Sequence, residues 1–284
     1  MNKSLLKAIG PGILFASTAI GVSHLVQSTR AGAEFGFTLV GAIILSNLFK
    51  FPFFQYASRY ANATGTSIID GYKKIGSWML WLYFIITVAT MFFVCSAVGV
   101  VTSGFMDNLF NITGTLTAQE IPMAKLVTPG ILFIGCTLIL VLGKYKVLDS
   151  LIKVIGAVLL ISTIAAFVLA LFNKNNIPTE SYYIIDTAGW SDKYKFAFMI
   201  ALMGWMPTAL DLSSWNSLWT VERIKQTKYH PTLKETLFDF NFGYIISAVL
   251  AIFFVALGAF LMHETGEAVS KNPIGFGKQV IRMY

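Results

Sequence analysis

The chain has 284 residues, 56% of them hydrophobic and only 12% charged, with a formal net charge of +7. That balance excludes an ordinary soluble domain and describes an all-α integral membrane protein: runs of roughly 20 apolar residues, each able to cross about 30 Å of hydrocarbon, recur along the sequence. The basic excess sits mostly in short loops, where it reports orientation rather than a nucleic-acid partner, and Cys95 and Cys136 fall inside apolar runs, where they imply neither a disulfide nor a thiolate metal site.

The first apolar run follows Lys3 and Lys7 and passes into polar sequence without a small-residue cleavage site, so it reads as a retained helix. Gly10, Pro11 and Gly12 open it, Ile13 to Ile20 can enter a bilayer, and then Gly21, Ser23, His24, Gln27, Ser28 and Arg30 follow at mid-span. Unpaired polar groups in hydrocarbon cost several kcal/mol each, so such a load is tolerated only beside protein or a wet cavity. Gly21 to His24 is therefore predicted to be an unwound point, where secondary transporters place binding sites; a tightly packed helix with small residues is the alternative.

A second span runs from Phe37 to about Tyr60 and contains Lys50 and Pro52. Ser67 to Gly76 reads as a short interfacial segment, and Trp78 to Gly104 as the third span with an aromatic cluster at its start. After a polar connection from Asp107 to Lys125, a fourth span covers Leu126 to Leu142 and is expected to end at Gly143; a fifth is centred on Val154 to Phe172. Beyond a polar loop, Asn173 to Asp192, the sixth span (Phe196 to about Trp219) repeats the anomaly of the first. Its apolar run meets Gly204, Met206-Pro207-Thr208 and Asp211, and the proline must kink or open the helix. One more full span, Phe242 to Met262, precedes a polar end.

Basic residues mark the N-terminus and every second loop as cytoplasmic. The interrupted spans are the first and the sixth, the spacing expected of an inverted repeat of five-helix units, with residues 1–172 as the first unit and 193–284 as the start of the second. Two helices of that second unit are present, so the sequence is expected to be a fragment of a longer chain.

At this point the sequence resembles the Nramp family of divalent-metal transporters. The likeness is carried by Gly10-Pro11-Gly12, by Ala31-Gly32-Ala33-Glu34-Phe35-Gly36 at the end of the first helix, by the second helix from Asn47-Leu48 to Ala63-Thr64-Gly65, and by Met206-Pro207. It implies a LeuT-like inverted-repeat bundle, a metal cation bound between the unwound parts of the first and sixth helices, and proton-coupled uptake into the cytoplasm. The cation is cargo; no resident cofactor is implied, and oligomeric state stays open.

The departures fall at the site itself. Where the family's first helix carries Asp-Pro-Gly-Asn, this chain has Gly21-Val22-Ser23-His24; where the sixth carries Met-Pro-His, it has Met206-Pro207-Thr208. Met203 stands where an alanine usually lends its carbonyl, and Thr87 to Ser103 contains no acid to match the family's proton-linked carboxylates. A carboxylate about 4 Å from a dication contributes on the order of 8 kcal/mol at an effective dielectric near 20, and that contribution is lost at Gly21.

Three readings follow. A transition metal could be held by His24 and Met206, with Ser23 and Thr208 as oxygen donors and the carbonyls near Gly21 and Met203 completing the shell. The same groups could serve another small ion or solute, or the protein could be a transport-inactive relative. His24 could equally hydrogen-bond a backbone carbonyl across a helix contact, and Met206 could be packing. Asp211 reads either as a replacement counter-charge or proton acceptor, or as the ion-pair partner of Lys50 or Arg30; Lys50 could also snorkel to an interface. Ser23 and His24, neighbours on a helix, should point about 100° apart, which argues against a nucleophile–base pair and against an enzyme.

Overall fold

The computed structural model describes residues 3–117, 119–172, 193–263, 269–270, 275–276 and 279, and all regular structure among them is helical. The loop Asn173 to Asp192 and most of the polar end beyond Met262 lie outside the described residues. Among the described residues five stretches are long and apolar enough to cross a membrane: Ser77–Phe110, Ile121–Gly143, Tyr145–Phe172, Lys193–Thr227 and Leu233–Leu261.

The first span is assembled from pieces: α1 (Lys3–Ala8), α2 (Pro11–Ala19), a π-helical turn (Ser23–Ser28) and α3 (Thr29–Phe35). It pivots against α10 (Leu233–Leu261), the most enclosed helix, more than half of whose apolar window is buried. Contact at both ends is between backbones. A methyl group on Gly12 would overlap the Asp239 carbonyl and one on Gly243 that of Gly12; Gly32 and Gly258 are confined in the same way by Val255 and Thr29. Without a hydrophobic drive between helices in lipid, such small-residue contacts supply the van der Waals packing. The N-terminus of α2 is closed by Asp239, whose two carboxylate oxygens accept from Gly10 N at 3.0 Å and Gly12 N at 2.7 Å. The orphan donors of a helix start and its positive dipole end both favour an anion there.

Helix α4 (Val40–Thr64) runs through Pro52, and Gly65 ends it in the left-handed conformation that glycine adopts without penalty. It packs on α9 (Ser213–Thr227) and α10, and an aromatic cluster of Phe15, Phe51, Phe54, Phe240 and Tyr244 fills the space between them. The interfacial segment is α5 (Ile68–Ile75), started by a capping box between Ser67 and Asp70.

Two apolar helices expose most of their surface: α6 (Ser77–Phe110) and α7 (Ile121–Phe172). The break expected at Gly143 is not formed; the 52-residue α7 passes through it without interruption. A glycine costs a helix interior only about 1 kcal/mol relative to alanine, and no proline follows to remove a donor, so nothing at this point compels a turn.

Candidate functional site

The predicted interruptions are present in both spans, and the π turn that follows the first lies against the second. In the first, the helix breaks at Ile20 and Gly21, slightly before the expected centre, and Ser23 and His24 already belong to the π-helical turn. There the backbone bonds lengthen in register: Thr29 N donates to His24 O, five residues back. Single π turns of this kind bulge a helix and commonly accompany functional sites. In the sixth span, α8 (Lys193–Trp205) stops at the residue before Met206, the chain opens through Pro207 and Thr208, and a 3₁₀ turn (Leu210–Leu212) leads into α9. Ser28 of the π turn lies against the opened segment, with its hydroxyl 3.9 Å from the Met206 sulfur. Met206, Ser28 and His24 are all completely buried.

His24 is fully committed inside this conformation. Its Nδ1 lies 2.8 Å from Ser23 Oγ, and its Nε2 is 3.0 Å from the Ser247 carbonyl and 3.3 Å from the Ser247 hydroxyl. Either neutral tautomer is satisfied: Nδ1 accepts from Ser23 while Nε2–H donates to the Ser247 carbonyl, or Nδ1–H donates to Ser23 while Nε2 accepts from the Ser247 hydroxyl. The expected divergence of Ser23 and His24 is thus corrected; the π turn brings the two side chains into hydrogen-bond contact. In the second arrangement, where Ser23 accepts from Nδ1–H, its single hydroxyl proton donates to the Ala19 carbonyl at 2.7 Å and ties the turn to the helix before the break.

The carbonyls expected to open toward a cation are occupied. Gly21 O accepts from His24 N at 3.1 Å and Leu25 N at 3.0 Å. Met203 O accepts from Ser46 Oγ and from Lys50 Nζ, both at 2.8 Å. Lys50 also donates to Gly204 O at 2.8 Å and to Thr208 O at 3.5 Å, and Ser46 to Met206 O at 2.9 Å. Thr208 thus meets the site through its carbonyl. Ser46 and Lys50, one turn apart on α4, present neighbouring side chains to the break from the same helix face.

The ion pair expected for Asp211 is not formed. Lys50 binds carbonyls instead, and Arg30 lies 2.6 Å from Glu34 and 3.0 Å from the Tyr194 hydroxyl, which itself donates to Glu34 at 2.8 Å. Arg30 therefore joins the end of the first span to the start of α8, away from the breaks. Asp211 stands in the 3₁₀ turn with its Oδ1 buried and without a hydrogen-bond partner. No group of three or more His, Cys, Asp or Glu side chains that could hold a metal ion occurs among the described residues.

Sequence reasoning counted Ser28 among the polar load of the first span without giving it a site role, and passed over Ser46 and Ser247. One signal was available: Pro207 has no N–H to offer the carbonyl four residues earlier, so Met203 O must find a donor elsewhere, and Ser46 and Lys50 at helical spacing on a neighbouring span could supply it.

Two interrupted helices in contact at a buried polar point, wrapped by long apolar helices, define a multi-pass α-helical membrane protein organised around paired helix breaks. The chain belongs to the Nramp family: the model described as "Natural resistance-associated macrophage protein-like" matches residues 12–274. It is 35% identical over 282 residues to "Uncharacterized protein PM0681" of Pasteurella multocida (strain Pm70), a match spanning 99% of this chain and 62% of that protein. To "Divalent metal cation transporter MntH" of Latilactobacillus sakei subsp. sakei (strain 23K) it is 22% identical, over 95% of this chain and 57% of the relative. A protein of that same description from Brucella suis biovar 1 (strain 1330) is 32% identical over 81 residues, 27% of this chain and 18% of its own length. The chain therefore spans about three fifths of the relatives it matches along its whole length. No solved structure matches.

Proposed function

We propose that this chain carries the cargo site of a secondary transporter for metal cations, divalent transition metals in particular, on a LeuT-like inverted-repeat fold. The observation that carries the reading is the contact between the π turn that follows the first break and the opened part of the sixth span, Ser28 Oγ against Met206 Sδ at 3.9 Å. Membership of the Nramp family and likeness to relatives described as divalent metal cation transporters support it. The repeat reading takes residues 1–172 as the first unit and 193–284 as the start of its inverted copy; one continuous helix, Ile121–Phe172, stands where that reading expects two.

In this reading His24 and Met206 are the principal ligands, with Ser23 and Ser28 as oxygen donors, while the Thr208 carbonyl is taken by Lys50. Imidazole plus thioether favours late transition metals over magnesium or calcium. Binding requires His24 to exchange Ser23 or Ser247 for the ion, which couples cargo to the packing of the first helix on α10. Alternating access follows as movement of the interrupted helices against their neighbours. Asp211, with its unpartnered oxygen, is the counter-charge or proton acceptor, and the N-terminus is cytoplasmic, as the basic loops require. No enzymatic role is assigned.

A second reading, transport of a different small ion or solute, is favoured by one observation: Lys50 brings a positive charge to the sixth-helix break, and among the described residues no carboxylate pairs with it. Calorimetric titration of Mn²⁺ into the full-length protein and its His24→Ala and Met206→Ala variants, with uptake into proteoliposomes, separates the two. Weakened binding in both variants is expected; unchanged affinity in both removes the metal reading.

A further inference from the structure

The carbonyl end of α8 is covered by a charge that the protein supplies from within. Pro207 leaves Met203 O without its helical donor, and the opening of the chain after Trp205 does the same to Gly204 O. Both are backbone acceptors at the negative end of a helix dipole, in a region where an unpaired acceptor is costly. The donors come from α4. Ser46 Oγ bridges Met203 O and Met206 O, and Lys50 Nζ makes two short bonds, 2.8 Å each, to Met203 O and Gly204 O and a longer one, 3.5 Å, to Thr208 O. An ammonium has three N–H donors and here they meet three main-chain carbonyls.

Among the described residues no carboxylate lies within ion-pair distance of Lys50, and Asp211, a few residues along the same opened segment, leaves its buried Oδ1 without a partner. The half-buried ammonium is stabilised by dipoles alone. That is the environment an opened helix gives to a bound cation: carbonyl oxygens at a helix C-terminal end, with hydroxyl groups nearby. Lysine takes the place of the ion, on a stem anchored one turn from Ser46.

We infer that Lys50 is a tethered cation, its ammonium filling a monovalent-cation site formed by the carbonyls of Met203, Gly204 and Thr208 at the sixth-helix break. The site is thereby closed to free ions. A consequence for specificity, which rests on the transport reading above, is that the cargo is denied these carbonyls and is held from the His24 and Met206 side only.

The test uses the full-length protein in detergent with Lys50→Ala, which empties the site, and Lys50→Met, which fills it without charge. Thermal unfolding is followed in sodium, potassium or propylammonium chloride against choline chloride at equal ionic strength. The expected result is a midpoint for Lys50→Ala about 4 °C below wild type, restored by at least one of the three ions, with wild type and Lys50→Met unmoved relative to choline. A wild-type midpoint in Lys50→Ala, the absence of restoration by all three ions, or equal shifts in wild type or Lys50→Met would each overturn the inference. Mn²⁺ titration of the wild type is read separately: no binding there, with rescue of Lys50→Ala intact, ends the metal reading and leaves the tethered cation standing.

Discussion

Asp239 holds the start of the first membrane helix by both of its oxygens, Oδ2 accepting from Gly12 N at 2.7 Å and Oδ1 from Gly10 N at 3.0 Å, in a setting where the carboxylate is almost wholly buried. Two glycines separated by a proline make this possible, because the chain enters the helix at Pro11 with no side chain to hold the carboxylate away. Replacing Asp239 with Asn keeps the shape but turns an NH₂ group toward one of the two backbone donors. A loss of about 1–3 kcal/mol is expected for the buried donor left unsatisfied. A lower thermal midpoint of the Asp239→Asn protein in detergent checks this; an unchanged midpoint would show that the carboxylate does not secure the helix.

The crossing of the first helix with α10 depends on backbone meeting backbone. Gly12 is confined by the Asp239 backbone and Gly243 by that of Gly12 at one end, and Gly32 by Val255 and Gly258 by Thr29 at the other. Gly243→Ala must push the helices apart at the level of Gly12, and because interior packing gives way only in part, about 3 kcal/mol of destabilisation is expected. Gly204→Ala is the control, since nothing lies within 4 Å of a methyl group there. Yield of monodisperse protein and midpoint should fall for Gly243→Ala and stay near wild type for the control. Equal behaviour of the two would refute the close crossing.

The interfacial helix α5 carries a proton-sensitive start. The Ser67 hydroxyl hydrogen bond, then the Ser67 backbone N–H and the nearby Lys74 and Lys73, hold the Asp70 carboxyl below its ordinary value of 3.8. A carboxylate whose pKa is depressed on folding contributes stability that is fully present above the unfolded value and is lost as pH falls through the folded one. Protection of the α5 amides against hydrogen exchange, corrected for intrinsic rates, should therefore be flat from neutral pH to about pH 5 and decline below about pH 4. Ser67→Ala should reduce it throughout, by the roughly 1 kcal/mol typical of a lost cap. Protection that is the same at pH 3 and pH 7 in the wild type would contradict the capping role.

The site was half legible from the chain alone. Gly21 and Pro207 announced their own interruptions, because a glycine followed by polar residues and a proline at mid-span each leave backbone groups that a regular helix cannot satisfy. What satisfies those groups was not legible. Lys50 was read either as an ion-pair partner for Asp211, alongside Arg30, or as reaching to an interface, yet the carbonyls freed by Pro207 take it instead. His24 was read as diverging from Ser23, and the π turn brings the two together. Gly143 was read as a helix end and is passed without interruption.

Composition, apolar period and the two polar interruptions determined by themselves that this is a multi-pass helical membrane protein with irregular first and sixth spans, because those properties follow from the cost of polar groups in hydrocarbon, which each segment carries alone. Which donor meets which acceptor was decided only by the tertiary structure. Ser46 and Lys50 reach the break from a helix more than 150 residues away in sequence, and Ser247 reaches His24 from α10. Such pairings depend on helix rotation and crossing depth, which the close backbone contacts at Gly12, Gly243, Gly32 and Gly258 set and no local pattern encodes.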